Sequence, residues 1–338
     1  MRILWATVLL NPFLPTGLAA AGQMVTNETT VHGIVKKALP SIVSGANEWM
    51  AENDCVTCHR VTHAAWALNL ATEHLGTGAD TGITSKQVWQ INQWATNWTK
   101  LAKPDVRANA VQNKTLQNNA DTVGQAILAV ATVRNSLGDD WENAYYASII
   151  EGQKPAGFWN AGGQLPMQKR AVRETNEVTT MWTLVALNTS SLSSPKQDSI
   201  EHKATQWLTS KESVTAGQST EWWALKSLLN ETDTETSQED LPVTQLLSFQ
   251  NSDGGWGWLV NDDSDALGTG IALYALAQHA TPAANQARNQ AIDFLRTTQL
   301  PNGSWNVKGT KKNGRNKIVD TASYWGTCWA VIGLLQSP

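Results

Sequence analysis

Cysteine is scarce in this chain, with three among 338 residues. Three thiols cannot all pair, and two of them, Cys55 and Cys58, share one short peptide, so a disulfide framework is excluded as the source of stability. The third, Cys328, lies in an apolar run and reads as a small buried hydrophobe. Charge is thin as well: Asp, Glu, Lys and Arg make up 16 % of the chain, and the formal net charge is −4. That balance offers no broad basic face, which argues against nucleic acid or an anionic membrane surface as the main partner. Tyr and Phe number only four each, whereas Trp numbers 17. With hydrophobic residues at 41 %, a sizeable core is expected and disorder is not.

The first residues place one Arg before an apolar stretch that ends at Ala19-Ala20-Ala21, a small-x-small cleavage pattern ahead of Gly22. The expectation is an export signal over 1–21 and a mature chain over 22–338, periplasmic or secreted. Beyond that signal no stretch has the length of a membrane-spanning helix, so no integral membrane segment is expected once it is removed.

Repetition is the most informative pattern. Gln153, Gly157 and Trp159 are spaced as Gln-x3-Gly-x-Trp, and so are Gln250, Gly254 and Trp256, and again Gln299, Gly303 and Trp305. Each copy follows an amphipathic run and precedes a second, more apolar one, so the unit is helix, Gly-containing turn, helix. Weaker copies fill the rest: helices at about 36–52 and 62–74, at 86–100 and 119–134, and at 197–211 and 219–230. One hairpin cannot bury both of its faces, so six of them must stack. The predicted fold is all-α: a single (α/α)6 toroid with six inner helices inside six outer ones.

The Gln-x3-Gly-x-Trp signature resembles that of the terpenoid cyclases, and the hairpins are similar to the α/α toroids of squalene–hopene cyclases and protein prenyltransferases. The resemblance covers about 30–336 and speaks to fold more than to activity. The cyclase family carries its proton-donating acid at the third position of an Asp-x-Asp-Asp motif. Here Asp262-Asp263-Ser264-Asp265 puts a serine there, and a hydroxyl does not protonate an alkene. The prenyltransferase family ends a similar segment with a zinc-binding Asp, matched by Asp320, but the cysteine expected two residues later is Ala322. Asp263, Asp265 and Asp320 are thus the catalytic candidates that the resemblance implies, each without its family partner. The basic segment Lys308, Lys311, Lys312, Arg315 and Lys317 is a candidate anion contact or a solvated loop.

The tryptophans divide into three groups. Trp159, Trp256, Trp258 and Trp305 fall in turns and are expected to plug hairpin ends. Trp49, Trp94, Trp98 and Trp207 fall on first helices. Trp66, Trp182, Trp223 and Trp329 fall on second helices, where they are expected either to pack the core or to wall an apolar cavity for a small molecule.

One peptide stands apart. Cys55-Val56-Thr57-Cys58-His59 is Cys-x-x-Cys-His and resembles the haem-attachment peptide of c-type cytochromes. The thiols at that spacing take the two porphyrin vinyl groups, and the adjacent imidazole ligates iron. The expectation is a covalent haem c at Cys55, Cys58 and His59, an electron-transfer role and a redox partner protein. Candidates for the second axial ligand are Met50, His32, His74, Met167, Met181 and His202. The alternative is a catalytically divergent cyclase- or prenyltransferase-like toroid that binds an isoprenoid or glycan, with a zinc site of Cys55, Cys58, His59 and His63 or a redox-active thiol pair.

Overall fold

In the computed structural model, residues 30–53, 60–97, 119–138, 140–162, 165–189, 195–210, 216–229, 241–314 and 316–336 are described. Cys55, Cys58, His59 and Trp98 lie outside them. Twelve α-helices run through the described residues, in six outer–inner pairs. The outer ones are α1 (Val31–Glu52), α3 (Ser85–Ala95), α5 (Asp140–Gly152), α7 (Pro195–Leu208), α9 (Leu241–Ser248) and α11 (Pro282–Thr298). The inner ones are α2 (Val61–Leu75), α4 (Ala120–Ala129), α6 (Val172–Asn188), α8 (Thr220–Leu229), α10 (Ala266–Leu276) and α12 (Asp320–Gln336).

The inner helices touch in the order α2, α4, α6, α8, α10, α12, and α12 returns to α2. The ring is therefore closed, and the toroid expected from the repeats is the fold. Composition decides which helix goes inside. α10 is apolar all round and every one of its residues is buried, as an encircled helix must be. α11 buries one stripe, Ala284, Ala287, Ala291, Phe294 and Leu295, and turns its charged face to solvent.

Helix limits differ from the sequence expectation at three places. α1 begins at Val31 rather than near 36, because the Thr30 side chain accepts from the Gly33 amide and caps the helix early. α3 ends at Ala95, where Thr96 caps it. α4 ends at Ala129 and tightens into a 3-10 turn over Arg134–Ser136 instead of running on to 134.

The three signature turns are built alike. Each Trp donates its indole N–H to the carbonyl ten residues before it: Trp159 to Ile149, Trp256 to Leu246 and Trp305 to Leu295, at 2.8–2.9 Å. Its backbone N–H goes to a threonine on the inner helix of the same hairpin, Thr180, Thr269 or Thr327. The Gln amide bridges the Gly carbonyl of its own turn and a carbonyl of the next outer helix: Gln153 reaches Ile200, Gln250 reaches Ala287, and Gln299 reaches Ile34. Gly303, at φ +84°, lets the turn lie so close to α1 that a Cβ would run into the Lys37 carbonyl. The motif is thus a clasp between consecutive repeats, and the plugging role expected for Trp159, Trp256 and Trp305 is what these side chains do.

Candidate functional site

Each hairpin runs out along an outer helix and returns along an inner one, so the six inner-helix N-termini share one pole of the ring. The centre of the ring is closed below that pole. Trp66 on α2, Trp182 on α6, Tyr274 on α10 and Trp329 on α12 meet there, with all six centroid distances between 5.4 and 6.3 Å. Edge-on and tilted contacts of this kind are favourable beyond the area they bury. Trp66, Trp182 and Trp329 therefore fill the lumen at this level against one another and Tyr274.

Between that aromatic stopper and the pole lies a polar layer. Arg170, just before α6, donates to Glu221 on α8 at 2.6 Å and to the Ser219 hydroxyl at 3.2 Å. The same Glu221 accepts from Trp182 Nε1 at 2.8 Å. The Arg170 and Glu221 side chains are only 1 % and 2 % exposed. Glu174 accepts from the amides of Gln218 and Ser219 and from the Ser219 hydroxyl, and Glu177 accepts from Trp222 Nε1 at 2.6 Å. These carboxylates sit inside a ring of apolar helices because each is matched by donors.

Asp121, in the first turn of α4, is less completely matched. It is buried, and burial pushes its carboxyl up from 3.8 to about 6, while the amides of Asp121, Thr122 and Gly162 pull it down and the charge of Glu221 pushes it further up. Among the described residues its Oδ1 has no hydrogen-bond partner, nor has the buried Thr179 hydroxyl. Both residues line a cavity of about 20 Å³, with Gln125, Arg170, Trp182, Glu221 and Trp325 around it. That is room for about one water-sized molecule. A carboxyl with a raised pKa in a lined cavity is what a proton-transfer group looks like.

A larger hollow of about 450 Å³ opens on the same pole, lined among others by Lys169, Trp258, Asn261, Asp262, Asp263 and Lys308. Here the sequence-derived candidates separate. Asp265 is the half-buried N-cap of α10: its Oδ1 accepts from Leu267 and Gly268 and its Oδ2 from Trp258. Burial pushes it up to about 6 against those three bonds, which engage both of its oxygens. Asp263 is 86 % exposed and paired with Lys308 at 2.8 Å, whose hydrogen bond and charge hold it below the usual carboxylate range. Ser264, at the family's acid position, donates to Asp253 and accepts from Asn251. Asp320 is exposed at the start of α12 and pairs with Arg60. Asp263 and Asp265 thus border the same hollow, each already engaged, whereas Asp320 is not among its lining residues.

The residues next to the Cys-x-x-Cys-His peptide are described, although the peptide is not. Arg60 stacks over Tyr324 at 4.7 Å and Trp49 at 6.0 Å. His63, the proposed fourth zinc ligand, is buried; its Nε2 accepts from Trp325 Nε1 at 3.3 Å and its ring packs on Trp325 and Trp329. Among the described residues no three His, Cys, Asp or Glu side chains are grouped to hold a metal ion. Of the axial candidates, Met50 at the end of α1 and Met167 before α6 lie toward the pole that the peptide joins, and Met181 is buried within α6. Cys328 is buried, as expected, and burial raises its thiol well above the usual range.

The residues that sequence reasoning missed are Asp121, Arg170, Glu174, Glu177 and Glu221. Four of them lie on inner helices that are otherwise apolar, and that contrast was the available signal.

No protein-family model matches the chain. Over 92 residues it is 32 % identical to drimenyl diphosphate synthase of Streptantibioticus cattleyicolor, a match that covers 27 % of this chain and 17 % of that protein. Among solved structures, a wild-type glycosidase superposes with a TM-score of 0.57 at 10 % identity, covering 94 % of this chain and all of that one. A family 88 glycosyl hydrolase from Bacteroides vulgatus gives 0.54 at 13 %, covering 89 % and 98 %. What the chain shares with these proteins is an all-α toroid of paired helices, and no helix among its described residues is long and apolar enough to cross a membrane.

Proposed function

We propose that this protein is a divergent α/α toroid that binds a small polyhydroxylated molecule, of glycan type, at the pole where the inner helices begin, and that Asp121 is the proton-transferring group of that site. The observation that carries the reading is Asp121 itself: a buried carboxyl whose Oδ1 has no partner among the described residues, facing a lined cavity beside the Arg170–Glu221 pair. Two carboxyls in contrasting surroundings, one raised by burial, one ion-paired, are suited to divided acid and base roles.

Cyclisation of a polyprene is the poorer reading. The family's acid position is Ser264, engaged in its own turn, and a long apolar chain meets the stopper of Trp66, Trp182, Tyr274 and Trp329. The short stretch of identity to drimenyl diphosphate synthase supports kinship in part of the chain. The glycosidase names of the structural relatives agree with the ligand class, but at 10–13 % identity their likeness supports the fold alone. The test is titration of the purified protein with neutral disaccharides and with farnesyl diphosphate, followed by tryptophan fluorescence and product analysis. Saturable sugar binding that changes with pH in the wild type and not in Asp121→Asn is the expected result. Conversion of the diphosphate to a cyclic product would overturn the reading.

A second reading rests on one sequence observation, Cys55-Val56-Thr57-Cys58-His59. It makes the protein a haem c carrier with an electron-transfer role, exported to the compartment where such haem is attached. The flanking residues fit a porphyrin only in part: Trp49 and Met50 offer a half-buried apolar edge, but Arg60 is occupied by Asp320. Haem, when bound, would supply one-electron chemistry, and His59 would hold the iron. Expression with its leader in a host that matures c-type cytochromes decides the matter. A denaturation-resistant haem-staining band supports this reading, and a colourless protein sinks it.

A further inference from the structure

We infer that the 450 Å³ hollow beside α10 is a binding subsite for a neutral sugar unit, separate from the Asp121 cavity and divided from it by the Trp258–Arg170 contact. The inference rests on the proposed glycan function and specifies where most of the ligand would lie. The volume is within the range of small-molecule sites, whereas the Asp121 cavity holds about one water-sized molecule.

The lining decides the ligand class. Among the described residues its two lining cations are already paired: Lys169 with Asp262 at 2.9 Å and Lys308 with Asp263 at 2.8 Å. With Asp265 also in the wall, the described lining has no surplus positive charge to hold a phosphate or diphosphate. What remains are the side-chain amides of Asn261, Asn306 and Asn316, each offering donors and an acceptor. Such groups match hydroxyls, which also donate and accept, better than they match an anion or an alkyl chain. The remaining observation is Trp258. It is 2 % exposed, it lines the hollow, and its indole N–H has no partner among the described residues. A buried donor is costly to leave unmatched, and a ligand oxygen would satisfy it.

Trp258 also stands between the two cavities. Its ring carries the Arg170 guanidinium 5.2 Å from the ring centre, and Arg170 lines the Asp121 cavity. Its chain neighbour Lys169 lines the hollow. One peptide step thus directs one cation to each compartment, with the Trp258 ring between the hollow and Arg170.

The experiment is calorimetric titration of the full chain with cellobiose, maltose, lactose and chitobiose, and with inorganic pyrophosphate. At least one disaccharide should bind saturably in the micromolar to millimolar range, and pyrophosphate should not. Asn306→Ala with Asn316→Ala should weaken that binding by about tenfold or more, since each removes polar partners. Trp258→Phe, which keeps the ring and removes the N–H, should weaken it by about fivefold. Circular dichroism and melting temperature confirm that the variants fold. Pyrophosphate binding, no saturable binding by any disaccharide, or undiminished binding in the folded Asn306/Asn316 variant each overturns the subsite. Asp121→Asn reports on the other cavity: if it changes neither affinity nor the pH dependence of binding while the asparagine variant loses the sugar, the hollow stands and the role of Asp121 falls.

Discussion

The side-chain amide of Gln299 donates to the carbonyl of Ile34, a residue 265 positions earlier, and to Gly303 in its own turn. With this pair of bonds the sixth hairpin is fastened to the first by the same device that fastens the third to the fourth and the fifth to the sixth.

Closure of the ring should therefore depend on Gly303 more than on an ordinary turn glycine. Gly303→Ala brings a Cβ against the Lys37 carbonyl at a positive φ, and is expected to cost about 3 kcal/mol or more. Gly76→Ala, also at positive φ but with open space around the new methyl, should cost about 1 kcal/mol. Chemical denaturation of the two variants side by side checks the difference; equal losses would show that the contact with α1 contributes nothing.

The aromatic stopper should be removable at a known expense. Trp66→Ala deletes a ring that touches Trp182, Tyr274 and Trp329, and should destabilise the fold by about 3–5 kcal/mol. The cavity left behind is apolar, so it should take up a small aromatic such as indole. A variant of wild-type stability that binds no indole would mean that the lumen repacks.

Asp121 makes stability fall as pH rises. Its folded value, about 6, lies above the ordinary 3.8, so between these two values the folded state holds more protons than the unfolded one. The protonated form is the favoured one in the fold. Its contribution is fully present below about pH 4 and is lost as pH climbs through 6, a change on the order of 3 kcal/mol for a two-unit shift. Asp265, also raised to about 6, acts in the same sense. Unfolding free energies of the wild type and Asp121→Asn, measured from pH 4 to pH 7, should diverge over that window. Parallel curves would remove the claim that Asp121 is desolvated.

The Arg170–Glu221 pair should show the asymmetry of a buried ion pair. Arg170→Met leaves Glu221 with Trp182 but no charge partner, at an expected cost of about 3–5 kcal/mol. Arg170→Met with Glu221→Leu should recover a good part of that loss. A double variant as unstable as the sum of the two singles would show the residues to be uncoupled.

Much of the fold was legible because the clasp leaves its mark locally. Gln, Gly and Trp at fixed spacing are required by one turn geometry, and the apolar run that follows each turn must be an encircled helix. The limits of α1, α3 and α4 were less legible, because caps such as Thr30 and Thr96 decide them and the helical pattern continues past both. The site was less legible still. Asp262–Asp265 and Asp320 attract attention by their resemblance to family motifs, yet capping and pairing turn them into a cap and three ion pairs. Asp121 belongs to a hairpin without the signature turn, so nothing nearby in the sequence marks it. Glu174, Glu177 and Glu221 would have emerged from one further step: a carboxylate buried on an inner helix must be matched by donors from neighbouring elements of the ring.

The packing of the outer layer has a final consequence. Each of α5, α7, α9 and α11 lies against the inner helix of the hairpin before it, and α1 lies against α12 in the same way. The first repeat thus occupies the place of a seventh. Among the described residues the junction between the sixth and first hairpins is therefore packed like those that the covalent chain crosses, so ring closure needs no peptide bond there.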